Sequence, residues 1–188
     1  MVITSSAKPN DPTTAVEMVT EKLSEADLND LCDATDSAIE DGGGFGWLDL
    51  PSRDILEKYW QGVITMPNRL LFVARLDSVI CGTAQLICPP RNNEAQSFAV
   101  KLTTNFITPW ARGHGLARAL LKTVETTARQ EGYGVINLDV RETQKAAISL
   151  YEGHGYKVFG THPYYAKVEE NIIKGLYYYK LIDKNLSE

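Results

Sequence analysis

Residues 105–121, NFITPWARGHGLARALL, read as the end of a strand, a short turn with two glycine residues, and the start of an amphipathic helix. The turn runs from Arg112 to Ala117 and brings a guanidinium group to the point where the helix begins. The first turn of a helix has backbone N–H groups without an acceptor inside the helix, and its dipole end is positive. Because glycine lets a backbone approach a ligand closely, this stretch predicts an anion site, usually one for phosphate.

Apolar periodicity on both sides of this stretch predicts a mixed α/β fold with one central sheet. The expected order is a strand, two helices, three strands, a helix, a strand, a helix and two closing strands. The last of the three consecutive strands, at about 96–108, loses its alternation near Thr104, which is compatible with a β-bulge. A loop through residues 162–165 is expected between the two closing strands, at 156–161 and 175–181.

The length of 188 residues suits one domain with a full core, expected over residues 14–184 after a loose polar leader at 1–13. The leader has no basic segment followed by an apolar one, so a secretory signal is not expected. A net charge of −5 gives no electrostatic support for a nucleic-acid partner. No apolar run approaches the ~20 residues that span a bilayer, so a membrane partner is not expected either.

The cysteine and histidine residues favour a reducing compartment and no metal. Cys32, Cys81 and Cys88 lie far apart and form no CxxC pair, which is typical of free thiols in the cytosol. The three histidines show no HxxxH or HxH spacing, so a metal site is not expected. We therefore expect a cytoplasmic protein.

Three phosphate-bearing ligands compete for the glycine turn. A P-loop needs the string GxxxxGK[ST], which occurs nowhere in the sequence. A dinucleotide fingerprint needs GxGxxG, whereas Gly113 and Gly115 are followed by Arg118 where the third glycine belongs. The turn also follows three consecutive strands instead of opening a strand–helix–strand unit. The third ligand is coenzyme A.

Two segments resemble the GNAT N-acetyltransferase superfamily. Arg112 to Ala117, RGHGLA, resembles its [R/Q]xxGx[G/A] segment, and residues 106–109, FITP, resemble the strand and proline before it. Residues 144–156, QKAAISLYEGHGY, resemble the family's NxxAIxLYxxxGF about 30 residues downstream. The resemblance covers roughly residues 14–183. Within the superfamily the chain is similar to bacterial small-molecule acetyltransferases of the tabtoxin-resistance type.

This resemblance implies a single, mostly antiparallel sheet of about seven strands with a splayed centre, flanked by about four helices. It also implies acetyl-CoA as the cofactor. Two departures from the family pattern stand out. Gln144 replaces the family's asparagine, and residues 100–105, VKLTTN, hold no carboxylate where many relatives have a glutamate that could act as a base.

The resemblance assigns cofactor contacts to the glycine turn, to the end of the strand before it and to the helix expected at about 143–153. The backbone N–H groups of the glycine turn would hold the pyrophosphate, with Arg112 adding charge. The backbone of Phe106 and Ile107 would bind the acetyl carbonyl and the pantetheine arm. Alternatively, the glycines only shape a tight turn and the strand pairs in the ordinary way. The full set of implied cofactor-binding residues is Phe106, Ile107, Arg112, Gly113, His114, Gly115, Leu116, Ala117, Gln144, Ala147 and Tyr151.

Acetyl transfer from a thioester to an amine needs a proton donor and a proton acceptor. Tyr151 matches the family's tyrosine, and a phenol can protonate an expelled thiolate; the alternative is a core tyrosine on an amphipathic helix. Asp139 is a carboxylate within an apolar strand and a candidate base, although a salt-bridged aspartate would look the same. Glu142 and Glu94 are weaker candidates for the base.

Aromatic residues in two expected loops point to the acceptor. The family places these loops over the acceptor, and aromatics with glycines suit a pocket for a small organic amine; alternatively they cap the edge of the core. We expect an N-acetyltransferase of a small amine or amino-acid-like compound. A peptide or protein amine, and a noncatalytic coenzyme A-binding module, stay open as alternatives, and so does a homodimer. The four residues are Phe45, Trp47, Tyr164 and Tyr165.

Overall fold

The structure is a computed structural model that describes residues 3–4, 11–43 and 46–186. Among these residues, seven strands and four α-helices confirm the expected α/β fold, and a two-residue strand precedes them. The elements are β1 (Ile3–Thr4), β2 (Thr14–Met18), α1 (Glu25–Glu40), α2 (Arg53–Thr65), β3 (Arg69–Leu76), β4 (Val79–Ile87), β5 (Ala99–Ile107), α3 (Leu116–Gln130), β6 (Val135–Arg141), α4 (Lys145–Gly153), β7 (Lys157–Val168) and β8 (Asn171–Leu181).

Contacts divide the chain into two compact units, residues 1–86 with 104–124 and residues 87–103 with 125–188. Strand β5 and helix α3 each contribute residues to both units. The single domain expected over residues 14–184 stays a prediction.

The first unit orders its strands β1-β2-β3-β4-β5, with α1 and α2. Although β1 belongs to the expected leader, it pairs antiparallel with β2 through Ile3↔Val16. Helix α1 begins where the sequence indicates, because the Ser24 hydroxyl accepts the Asp27 N–H at 3.0 Å. The strands β3 and β4 join through Asp77 and Ser78, whose φ angles of 48° and 74° suit the tight turn of a hairpin.

Buried residues of α1, α2, β3 and β4 form the core of the first unit. Trp60 of α2 is fully buried, and its indole N–H donates to the Thr35 hydroxyl at 3.0 Å. The Thr35 hydroxyl in turn donates to the Leu31 carbonyl at 2.6 Å, so this polar pair is satisfied inside the core. The cluster comprises Leu31, Cys32, Leu56, Trp60, Val63, Leu71, Val73 and Ile80.

The second unit orders its strands β5-β6-β8-β7. Its β5–β6 ladder is parallel and ends after three pairs, Ala99↔Val135 to Lys101↔Asn137, which agrees with the expected splayed centre. Strand β8 runs antiparallel to both β6 and β7.

The prediction of a loop at residues 162–165 was wrong, because these residues belong to β7. The pairing of β7 with β8 passes from His162↔Gly175 to Ala166↔Ile173, so three residues of β7 face one of β8. This bulge interrupts the alternation that marks a strand in sequence. Its Pro163 lies on an edge strand, where a missing N–H donor breaks no ladder bond. The chain reverses instead after Val168, where Glu169 has a φ of 53°.

Across the described residues, no helix is long and apolar enough to cross a membrane.

Candidate active site

The glycine turn has open space above both of its glycines. After a short 3-10 helix at Pro109–Ala111, Gly113 and Gly115 adopt φ angles of 88° and 75°, which glycine reaches without strain. A Cβ atom added to either residue would meet no atom within 4 Å. Helix α3 follows directly, with Ala119 N–H donating to the Gly115 carbonyl at 3.1 Å. The turn therefore fits a pyrophosphate, since the N–H groups of the first helical turn lie beside room for the anion.

Arg112 of this turn forms an ion pair with Asp41, the residue that ends α1. One guanidinium nitrogen contacts Asp41 Oδ2 and the other lies 3.5 Å from Oδ1. The two side chains are 54% and 38% exposed, so both remain open to solvent. The partners are 71 residues apart in sequence, and sequence analysis did not identify Asp41.

Strand β5 contains a residue in the left-handed region at the predicted disturbance. Thr104 has a φ of 51°, which is strained for a β-branched residue. The Thr83 hydroxyl of β4 donates to the Thr104 carbonyl at 2.9 Å and holds this conformation.

The segment with Phe106 and Ile107 packs closely on β4. A Cβ atom at Gly82 would lie 2.4 Å from Ile107 Cδ1 and 2.6 Å from the Phe106 carbonyl oxygen. The Thr108 N–H also donates to the Cys81 carbonyl at 2.8 Å. Glycine at position 82 therefore permits the close approach of the strand end that leads into the glycine turn.

Tyr151 lies on α4 with its side chain buried, at 5% exposure. Its ring packs against those of Tyr156 and Tyr178, with centroids 5.6 and 6.4 Å away. The Tyr178 hydroxyl donates to Glu152 Oε1 at 3.0 Å, and burial together with this carboxylate raises the pKa of Tyr178 to about 12. Gln144 precedes α4, where its carbonyl accepts the Ile148 N–H at 3.0 Å, and Ala147 in the first turn is half-buried.

Asp139 of β6 has a partner on each carboxylate oxygen. Lys101 Nζ lies 2.5 Å from Oδ1, and the Tyr165 hydroxyl donates to Oδ2. Asp139 is 16% exposed and Lys101 51%, so the ion pair opens to solvent on the lysine side. Burial and the adjacent carboxylate raise the pKa of Tyr165 well above its ordinary value.

Gly175 of β8 leaves room for the Tyr165 ring. A Cβ atom at Gly175 would lie 2.2 Å from Tyr165 Cγ. The structure thus brings together Asp139 and Tyr165, two residues that were expected to have separate roles. The other tyrosine of the bulge, Tyr164, is 76% exposed.

Trp47 packs on the core cluster of the first unit and meets the Tyr59 ring edge-on, with centroids 5.2 Å apart. It is half-buried, which fits a residue that caps the edge of the core. Phe45, the other aromatic of this segment, lies outside the described residues.

Among the described residues, no group of three or more His, Cys, Asp or Glu side chains could hold a metal ion. Cys32, Cys81 and Cys88 are free thiols, and the first two are buried.

Comparison with known proteins identifies several relatives. Residues 30–156 match the model of the acetyltransferase (GNAT) family. An uncharacterized N-acetyltransferase of the hisH–hisA intergenic region of Azospirillum brasilense is 60% identical over 123 residues, which cover 65% of this chain and 73% of that protein.

Solved structures share the fold at low sequence identity. An N-acetyltransferase from Staphylococcus aureus superposes with a TM-score of 0.74 at 17% identity, over 89% of this chain and 99% of that one. A putative acetyltransferase from Salmonella typhimurium, solved with its cofactor acetyl-CoA, gives 0.72 at 16% identity, over 92% and 96%.

Proposed function

The chain belongs to the GNAT family of acetyltransferases, and on that premise we propose that it acetylates the primary amine of a small molecule, an amine or an amino-acid-like compound. N-acetyl transfer from acetyl-CoA is the family's reaction. The observation that carries the assignment is the glycine turn before α3, which is open above Gly113 and Gly115. The half-buried Trp47–Tyr59 pair supports a small acceptor, because such aromatic walls suit compact organic ligands.

In this proposal the turn and the end of β5 bind the cofactor. The backbone N–H groups from Arg112 to Ala117 hold the pyrophosphate, and the Arg112 guanidinium adds charge. The backbone of Phe106 and Ile107 binds the acetyl carbonyl and the pantetheine arm. The close packing of this segment over Gly82 supports the assignment, because it holds those backbone groups in one position. Gln144, Ala147 and Tyr151 contribute further contacts from α4.

Tyr151 is the proposed proton donor. Acetyl transfer forms a carbon–nitrogen bond and breaks the carbon–sulfur bond of the thioester, so the departing sulfur needs a proton. A phenol has a higher pKa than a thiol, so it is protonated at neutral pH and can give its proton to the departing sulfur. The aromatic contacts of Tyr151 with Tyr156 and Tyr178 support this role because they fix the ring.

Asp139 is the proposed base, and it acts through Tyr165. The attacking amine must lose a proton, and the Tyr165 hydroxyl already donates to Asp139 Oδ2. A proton accepted by the Tyr165 oxygen would be matched by transfer of the phenolic proton to the carboxylate. The absence of a carboxylate at residues 100–105 supports this assignment, since the position used by many relatives is not available.

The proposed acceptor contacts are Phe45, Trp47, Tyr164 and Tyr165.

We place the protein in the cytoplasm, which its three free cysteines support. We also propose a homodimer. The edge strand β7 supports it, because Val158 and Phe159 are 50% and 61% exposed there.

Two measurements test the function. Acetyl-CoA should raise the thermal unfolding temperature, since a ligand that binds the folded state stabilises it. Release of coenzyme A with a panel of small amines, amino acids and lysine-containing peptides should identify a small acceptor. Turnover with peptides alone would contradict the small-molecule proposal, and the absence of thermal stabilisation would contradict the cofactor site.

A further inference from the structure

Strand β4 contains a glutamine that the fold does not require. Gln85 is fully buried within the apolar stretch from Val79 to Ile87. Its Oε1 accepts from Arg69 Nη1 at 2.7 Å, and its Nε2 donates to the Tyr59 hydroxyl at 3.1 Å. Both ends of the amide are therefore occupied, which fixes the side chain in one orientation.

An apolar residue at position 85 would suit the core better. A buried amide gains little net stability from its hydrogen bonds and costs free energy if either partner is lost. Departures from simple core packing concentrate at functional sites. We therefore interpret Gln85 as a residue that holds Arg69 in place.

Arg69 differs from the second arginine on the same strand. Arg75 forms two ion pairs, with Glu17 at 2.8 Å and Asp27 at 2.7 Å. Arg69 is half-buried, and no carboxylate within the described part of the chain lies within 4 Å of it. Its contact with Gln85 uses one guanidinium nitrogen. The remaining N–H groups form the planar fork that matches a carboxylate.

Gln85, which contacts the Arg69 guanidinium, lies near the residue of β4 that contacts Thr104 of β5. Gln85 and Thr83 lie two residues apart on β4, so their side chains point to the same face of the sheet. Thr83 donates to the carbonyl of the left-handed Thr104. The two positions are about 7 Å apart along the strand. The spacing of Gln85, which contacts Arg69, and Thr83, which contacts Thr104, is comparable with the length of an amino acid.

We propose that Arg69 binds a carboxylate of the acceptor, and hence that the acceptor is an amino acid or another amino-carboxylate. Gln85 is a positioning residue for this contact, and Tyr59 orients Gln85. The Trp47 ring packs edge-on against Tyr59, and in this proposal it contacts the acceptor side chain. This inference rests on the proposed small-amine acetyl transfer and specifies its substrate class.

Binding of matched ligand pairs tests the carboxylate site without turnover. The protein is saturated with coenzyme A, which carries no acetyl group, and titrated calorimetrically with the standard L-amino acids and with their carboxamides. A charge-assisted bidentate contact should make the best-bound amino acid bind about 10- to 100-fold more tightly than its carboxamide.

Variants assign that preference to Arg69. The preference should fall below about twofold in Arg69→Gln and persist in weakened form in Arg69→Lys, which keeps the charge and loses the fork. Arg53→Gln is the matched control, because this arginine already pairs with Asp33 at 2.5 Å. It should leave the preference unchanged. If Arg69→Gln unfolds, Arg69→Lys decides alone: an undiminished preference in that variant contradicts the proposal.

Three results would overturn the inference: no amino acid binds, the acid and its carboxamide bind equally, or Arg69→Gln keeps the full preference. Acetyl transfer is followed separately by release of coenzyme A. A carboxylate preference in binding without any release would count against the proposed activity and leave the site standing. Release of coenzyme A with simple amines, without any carboxylate preference in binding, would support the proposed activity and count against the Arg69 site.

Discussion

The carboxylate of Asp41 accepts from the guanidinium of Arg112, so the end of helix α1 is tied to the turn that leads into helix α3. Arg112 therefore meets an internal carboxylate at the place where the sequence predicts a phosphate. At the proposed cofactor site, an anionic ligand on this turn would compete with Asp41 for the guanidinium. The ion pair would then weaken cofactor binding by the free energy that it contributes in the ligand-free protein.

Replacing Asp41 with asparagine should tighten cofactor binding. Exposed ion pairs are worth about 0.2–1 kcal/mol, so the dissociation constant of acetyl-CoA should fall by up to about fivefold, measured by calorimetry at low salt. Asp49→Asn is the control, because Asp49 is exposed and should leave the constant unchanged. Equal constants for wild type and Asp41→Asn would show that the pair does not oppose the cofactor.

Two glycine-to-alanine substitutions should have opposite effects. Gly82→Ala places a methyl group 2.6 Å from the Phe106 carbonyl oxygen and should lower the free energy of unfolding by about 1–3 kcal/mol, with loss of activity. Gly62→Ala, inside α2 with no atom within 4 Å of the new Cβ, should raise it by about 0.4–1 kcal/mol. Denaturant unfolding measures both changes, and a neutral Gly82→Ala would disprove the close approach of β4 and β5.

Removing the Tyr151 hydroxyl should slow turnover and leave the cofactor bound. A general acid contributes about 10²–10⁴ in rate, so Tyr151→Phe should lower kcat by at least about 100-fold at unchanged affinity for acetyl-CoA. Tyr178→Phe is the matched control. It loses a hydrogen bond to Glu152 and should lose about 1 kcal/mol of stability with kcat retained. Equal kcat for Tyr151→Phe and wild type would exclude the acid role.

Asp139→Asn separates a base from a structural ion pair. Without a base, turnover depends on amine deprotonated by solvent, so kcat/KM should fall at neutral pH and recover steadily as pH rises toward the pKa of the acceptor amine. Lys101→Met removes the ion pair and keeps the carboxylate. It should keep much of the wild-type kcat/KM at neutral pH, because the carboxylate is still present. Matching profiles for Asp139→Asn and wild type would reject Asp139 as the base.

Local signals in the sequence predicted most elements of the fold. Ser24 followed by acidic residues indicated the start of α1, and Asp77-Ser78 indicated the hairpin between β3 and β4, because caps and turns are made by neighbouring residues. The bulge of β7 was missed since it removes the alternation on which strand prediction depends.

The candidate site was predictable only where its residues are contiguous. The glycine turn forms a motif in one stretch, whereas the pairs Arg112–Asp41 and Tyr165–Asp139 join residues 71 and 26 apart, which no local pattern encodes. The Arg69–Gln85 contact had a weak signal, a glutamine inside an apolar strand, whose meaning depends on the partner that faces it.

The cysteines determine how the protein responds to thiol reagents. Burial raises the pKa of the Cys32 and Cys81 thiols to about 11, so neither forms a thiolate near neutral pH, while Cys88 is partly exposed. The native protein should therefore consume about one equivalent of an aromatic disulfide reagent and then react no further. Released coenzyme A can be read colorimetrically above that small, constant background, and a fluorophore directed at thiols would label a single position.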